Sequence, residues 1–91
     1  PALSEAEASS LLAQIDGWII SEGAIRKTYQ FGGYGSTMAF VNAVAWIARK
    51  EDHHPDIRFG YNRCEVAYST HSTGGISMND FICAAKIEAL F

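Results

Sequence analysis

Three histidines are the side chains in this sequence best suited to moving protons at neutral pH. Two are adjacent, His53 and His54 in the run Asp52-His53-His54-Pro55, and His71 lies further along. Imidazole has an unperturbed pKa of about 6.5, so one ring can donate a proton while another accepts one. Asp52 precedes the pair and Asp80 follows His71. Either carboxylate can orient an imidazole or hold it charged. Either can equally serve only its own helix end. Three imidazoles can also hold zinc and leave an open position. However, adjacent histidines are an awkward ligand pair, and no His-x-His or His-x-x-x-His spacing accompanies them. A solvated surface cluster without chemistry is the remaining reading.

The elements that must position these residues follow from the pattern. Ser4-Glu5-Ala6-Glu7 is a capping box, and Ala8, Leu11, Leu12 and Ile15 continue at helical spacing. A first helix is expected from about Ser4 to Ile15, stopped by Asp16-Gly17. Trp18 to Glu22 reads as a strand, Gly23-Ala24 as a tight connection, and Ile25 to Phe31 as a second strand. In that strand Ile25, Lys27, Tyr29 and Phe31 share one face. The cluster Gly32-Gly33-Tyr34-Gly35 lacks the spacing of a phosphate loop and reads as a turn. Ser36 or Thr37 then caps a second helix, about Thr37 to Lys50, with the apolar stripe Phe40, Val41, Val44 and Ala48. Met38, Ala45, Trp46 and Ile47 widen it beyond one face.

Pro55 disfavours helix at His54, so the histidine pair sits on the link to the next strand. That strand is Ile57 to Tyr61, turning through Asn62-Arg63 into Cys64 to Thr70. A loop at Gly74-Gly75 and a capping pattern at Ser77-Met78-Asn79-Asp80 lead into a third helix, about Met78 to Leu90. Its expected inner face is Phe81, Ile82, Ala85 and Ala89. If Tyr61 pairs with Cys64, Ile57 faces Tyr68 and His54 falls opposite His71, and a slip of one or two residues keeps His71 near the pair. Cys64, Val66, Tyr68 and Thr70 form the more apolar side of this strand and should face the helices. His71 belongs to the open side.

The expected fold is therefore α+β, one domain over residues 1–91. A four-stranded antiparallel sheet carries three helices packed on one face, in the order α-β-β-α-β-β-α. At 48% hydrophobic and 19% charged the composition is that of a globular chain. A net charge of −3 without a basic face argues against a direct nucleic-acid binder. No apolar run reaches the roughly 18 residues of a membrane span, and no signal-peptide pattern opens the chain, so a soluble intracellular protein is expected. Cys64 and Cys83 have no metal spacing and read as reduced, buried thiols. The surplus apolar surface on the second and third helices predicts a homo-oligomer, a homodimer or homotetramer.

At these residues the sequence resembles the pterin-4a-carbinolamine dehydratases, known in mammals also as dimerisation cofactors of a homeodomain transcription factor. The matching pieces are Asp52-His53-His54-Pro55, Tyr61-Asn62, Ser69-Thr70-His71, Gly74-Gly75 and Asp80, at matching spacings. The element order resembles the family fold across nearly the whole chain. The resemblance implies dehydration of a 4a-hydroxytetrahydropterin to quinonoid dihydropterin, recycling the pterin cofactor of aromatic amino-acid hydroxylases. It implies catalysis by His53, His54 and His71 with no metal and no redox cofactor, and leaves open which is acid and which is base. It implies that Asp52, Ser69, Thr70 and Ser72 line the pterin beside these histidines, with Asp80 in support. A cytoplasmic location follows, with a nuclear one as well in a eukaryote. A coactivator-type module docking a protein partner is the alternative. One departure is Arg49, where the family commonly carries an acidic residue four before the first histidine; Glu51 is the nearby substitute.

Overall fold

The computed structural model describes residues 1–72 and 74–91 in full and residue 73 through its backbone. Helix α1 (Glu5–Leu12) starts as its capping box dictates. The Glu7 amide donates to Ser4 Oγ at 3.2 Å and the Ser4 amide to Glu7 Oε1 at 2.9 Å. Its last turn tightens: the amides of Gln14 and Ile15 reach back three residues, to the carbonyls of Leu11 and Leu12. Ile15 therefore stays buried although the α-helix has ended.

Strands β1 (Ile19–Ser21) and β2 (Ala24–Gln30) form a hairpin. Its connection is Glu22-Gly23, one position before the expected Gly23-Ala24, because Ser21 pairs with Ala24. Both loop residues have positive φ, 52° and 75°, the requirement of a two-residue turn whose twist matches its strands. Helix α2 (Tyr34–Glu51) begins three residues earlier than its polar residues suggest, with Gly33 as the N-cap. The hydroxyl of Thr37 is not a cap. It is buried inside the first turns, 2.9 Å from the carbonyl oxygens of both Gly33 and Tyr61, and ties the helix start to the β3–β4 turn.

Strands β3 (Asp56–Phe59) and β4 (Arg63–Tyr68) form the second hairpin, and α3 (Met78–Glu88) closes the chain. The sheet is antiparallel in the order β1-β2-β4-β3, so each hairpin contributes one central strand. Its turn is Tyr61-Asn62, since the Gly60 amide donates to the Arg63 carbonyl at 3.0 Å. The register is consequently two residues from the expected one, with Ile57 opposite Val66 rather than Tyr68. A two-residue shift leaves every side chain on its face. Ile25, Tyr29, Cys64, Val66 and Tyr68 form the buried side of the sheet, against Ala8 of α1, Phe40 and Val44 of α2, and Phe81, Ala84 and Ile87 of α3. The three helices thus share one face, as the sequence implies. On α3, however, Ile82, Ala85 and Ala89 point outward and the buried line is Asp80, Ala84 and Ile87. A buried carboxylate at Asp80 hid that line from hydropathy. Among the described residues no helix is long and apolar enough to cross a membrane.

The far end of α3 is fastened by its last residue. Glu88 Oε2 accepts from Trp18 Nε1 at 3.1 Å, from Lys27 Nζ at 2.9 Å and from the Tyr29 hydroxyl. Burial, reinforced by Glu88, pushes the Tyr29 phenol up. Burial alone would raise Glu88 as well, but its bonds from Tyr29, Lys27 and Trp18 outweigh that and hold its carboxyl below the ordinary value of 4.5. A depressed carboxylate pKa stabilises the fold above the unfolded value and loses that contribution as pH falls through the folded one. Acid titration below pH 4.5 should therefore remove stability, up to the roughly 1.5–3 kcal/mol that a hydrogen bond to a charged group contributes. Urea unfolding of Glu88→Gln should show a lower plateau near neutrality and lack that increment. Parallel pH profiles for the two proteins would rule the lock out.

Candidate active site

The histidine pair is placed by the way α2 ends. Asp52 adopts the left-handed conformation, φ 50° and ψ 43°. Glycine is usual there, but a short Asp side chain tolerates it. The His53 amide donates to the Ala48 carbonyl at 3.0 Å and the Asp52 amide to Arg49 at 3.3 Å, which closes the helix end and fixes the backbone at His53. Pro55 then carries the chain, extended, into β3.

Tyr68 and Asp80 hold His53 from two further sides. Tyr68, fully buried at the end of β4, donates its hydroxyl to the His53 carbonyl at 3.0 Å. Its ring stacks on the imidazole, with centroids 5.1 Å apart and planes 24° from parallel. Burial first, then the neighbouring Cys83 and Asp80, push the Tyr68 phenol up, so at neutral pH it remains a donor. Asp80, with 0% of its surface exposed, sits 2.5 Å from His53 Nε2 through Oδ1. Its Oδ2 accepts from the Ser77 amide at 2.9 Å and from Thr70 Oγ1 at 3.0 Å. Thr70 Oγ1 also lies 2.6 Å from Ser77 Oγ. An ionised carboxylate only accepts, so opposite one His53 donates from Nε2, and Nδ1 is left as its other ring nitrogen. Asp80 therefore has both roles left open by the sequence: it caps α3 and orients a histidine.

The other expected site residues are spread around this pair. With β3 beginning at Asp56 and β4 ending at Tyr68, no ladder pair joins His54 to His71. Continued past the strand ends, the observed register sets His53, not His54, beside Thr70, and Asp80 bonds both. His54 and His71 are exposed, His71 opening a 3₁₀ turn (His71–Thr73) directly after Thr70. Asp52 and Ser72 are exposed and Ser69 is half-buried. Ser69, Thr70 and His71 line one side of a cavity of about 250 Å³ closed by Gly23, Gly74 and Gly75. Among the described residues no group of three or more His, Cys, Asp or Glu side chains is gathered to hold a metal ion. Arg49 is exposed, and Glu51 is taken by Lys86 of α3 at 2.6 Å. Sequence reasoning missed Tyr68 and Ser77. A tyrosine on the buried side of a strand needs a partner for its hydroxyl, and that need was the available signal for Tyr68.

Comparisons with known proteins agree with the fold. The model of a family described as pterin 4 alpha carbinolamine dehydratase matches residues 1–90. A protein of Nitrosospira multiformis provisionally named pterin-4-alpha-carbinolamine dehydratase is 59% identical over 91 residues, covering 100% of this chain and 80% of its own. One of the same provisional name from Stenotrophomonas maltophilia is 58% identical over 90 residues, covering 97% of this chain and 78% of its own. Among solved structures, a transcriptional coactivator/pterin dehydratase from Brucella melitensis superposes with a TM-score of 0.94 at 33% identity, over 99% of this chain and 98% of that one. A pterin dehydratase-like protein identified as a RuBisCO assembly factor in the alpha-carboxysome superposes with a TM-score of 0.66 at 26% identity, over 80% and 84%.

The Tyr68 clamp has a measurable worth. Tyr68→Phe keeps the ring stack but leaves the His53 carbonyl without that donor. It should lower unfolding stability by about 1–3 kcal/mol, the cost of stranding a desolvated polar group. Tyr68→Leu removes the stack too and should cost more. A loss below about 0.5 kcal/mol for Tyr68→Phe in urea titrations would show the hydroxyl to be dispensable.

Proposed function

The chain belongs to the pterin-4a-carbinolamine dehydratase family, and from that premise we propose that its histidines dehydrate a 4a-hydroxytetrahydropterin to quinonoid dihydropterin. The observation that carries this reading is the buried Asp80 carboxylate, which holds His53 by Nε2 and Thr70 by its hydroxyl. In the reaction the C4a–O bond breaks and its electron pair leaves with oxygen, which gains a proton and departs as water. N5 loses its proton, and the freed pair forms the C4a=N5 double bond. We assign the N5 proton to His53. Its free nitrogen is the basic one, and the carboxylate behind it stabilises the imidazolium that forms. One of the exposed imidazoles, His54 or His71, protonates the departing hydroxyl. Asp52, Ser69, Thr70 and Ser72 hold the pterin around them. The product returns to the cofactor pool of aromatic amino-acid hydroxylases, and the chain works in the cytoplasm as a homodimer or homotetramer.

The direct test follows decay of the 4a-hydroxypterin with His53, His54 and His71 replaced singly by Ala. General acid–base catalysis typically contributes about 10²–10⁴-fold, and losses of that order are expected at His53 and at one or both of the others. Losses under about threefold at all three positions would defeat the assignment.

A second reading is a docking module. It is favoured by the names of the structural neighbours and by apolar side chains turned outward from α2 and α3: Trp46 at 61% exposure, Met78 and Ile82. These side chains give copies of the chain, or another protein, a surface to cover. Trp46→Glu should disperse the oligomer in sedimentation and release any partner recovered with it. Unchanged sedimentation and an unchanged set of partners would remove α2 from that role.

A further inference from the structure

The cavity at His71 does not end there. Gly23, Gly74 and Gly75 line it together with a second cavity of about 550 Å³, which runs on between the N-terminal segment, α1 and the edge strand β1. The two meet over bare backbone. A Cβ built at Gly23 or Gly74 would find nothing within 4 Å, and both residues have positive φ, 75° and 73°, where a side chain would be strained. The wall of the larger cavity is held in place, since the Leu3 amide donates to the Ile76 carbonyl at 2.9 Å. Its lining is mostly apolar, with Leu3, Ala8, Ile20 and Ile76, and its polar members are Ser4, Glu5 and Ser9.

We propose that this groove receives the C6 substituent of the pterin, and that it favours a neutral substituent of aryl size. The inference rests on the dehydratase reading and extends it to substrate choice. In a pterin C6 is bonded to N5, one of the two reacting atoms. A ring held with N5 and C4a at the histidines must therefore send its C6 chain away from that same edge. The groove leaves the histidines beside His71. The opposite edge of the ring carries amino, amide and carbonyl groups, and a lining that is mostly apolar suits it less well than it suits a C6 tail. A cavity of about 550 Å³ lies in the range of sites for whole small molecules and far exceeds a methyl group. Glu5 is the charged member of the lining, and its negative charge favours a neutral tail over an anionic one.

Fluorescence titration of the full chain with 6-methyl- and 6-benzyl-7,8-dihydropterin tests this without turnover. The benzyl compound should bind at least about tenfold more tightly, the scale on which apolar pockets discriminate. A carboxylate on its ring should cancel much of the gain. Ser9→Trp and, separately, Ile20→Trp fill the groove from α1 and from β1, and each should cut the benzyl-to-methyl affinity ratio by roughly tenfold. Each variant is its own control, because misfolding lowers both affinities together. Equal affinities in the parent chain, absence of binding by either compound, or ratios unmoved in both variants would overturn the proposal. Failure of the dehydratase reading looks different: the dihydropterins bind with the expected preference but no 4a-hydroxypterin is turned over. Turnover of methyl and benzyl 4a-hydroxypterins with equal efficiency, and equal binding, would sink the groove and leave the dehydratase standing.

Discussion

A carboxylate with no exposed surface must be surrounded by donors, because an unpaired charge in a protein interior costs several kcal/mol. Asp80 meets that condition with donors from three separate parts of the chain. Ser77 comes from its own helix start, Thr70 from the end of β4, and His53 from the link between α2 and β3. His53 is far in sequence from the other two, 27 residues before Asp80. The same atoms that satisfy the charge therefore fix where the end of α2 meets the end of the sheet. Stability and site geometry become one constraint. The imidazole cannot turn without stranding Asp80, and Asp80 cannot move without opening the capped start of α3.

Helix α3 carries a second carboxylate of the same kind at its other end. Glu88 gathers Trp18, Lys27 and Tyr29 as Asp80 gathers His53, Thr70 and Ser77. One end is thereby tied to the first hairpin and the other to the second hairpin and α2. The central pair β2–β4 lies beneath, with Ile25 opposite Tyr68 and Tyr29 opposite Cys64. Tyr29 and Tyr68 thus occupy the two ends of one buried row, each sending its hydroxyl to a group that positions α3 or the histidine link. Pinning at both ends compensates for a helix whose outer side is itself partly apolar, since Met78 and Ile82 gain nothing by turning outward to water.

What the sequence revealed and what it hid divide along one physical line. Local rules were legible. The capping box at Ser4, the proline after His54, the alternation of β2 and β4 and the order of elements all depend on nearest neighbours. The faces of the strands survived a two-residue error in register because side-chain alternation has a period of two. Choices that depended on distant partners were not legible. Thr37 looked like a cap because nothing local showed that Tyr61 would need its hydroxyl. Asp80 read as an orienting carboxylate or as a helix-end cap, and neither role showed that it would be buried, which misassigned the inner face of α3. His53, Thr70 and Asp80, each named from the sequence, do lie together, but the bond network that joins them was not legible. His54 was set opposite His71, whereas the contact made is His53 with Asp80 and Tyr68.

The separation of these features bears on why proteins of this fold carry names as different as coactivator, pterin dehydratase and carboxysome assembly factor. Every residue that holds His53 lies at one end of the sheet, and none belongs to the outward side of α2. Trp46 faces solvent two turns before the helix closes, and Lys50 approaches its ring to 6.0 Å. A substitution on that side changes what can be covered there without touching the Asp80 network. A substitution in the network disturbs the placement of His53 and leaves the outer side intact. Fold alone does not fix function, and here the reason is geometric: the two surfaces share a helix but no side chain. Binding and catalysis can therefore be gained or lost independently on this scaffold, so an outward helix face and a positioned histidine have to be argued from their own residues.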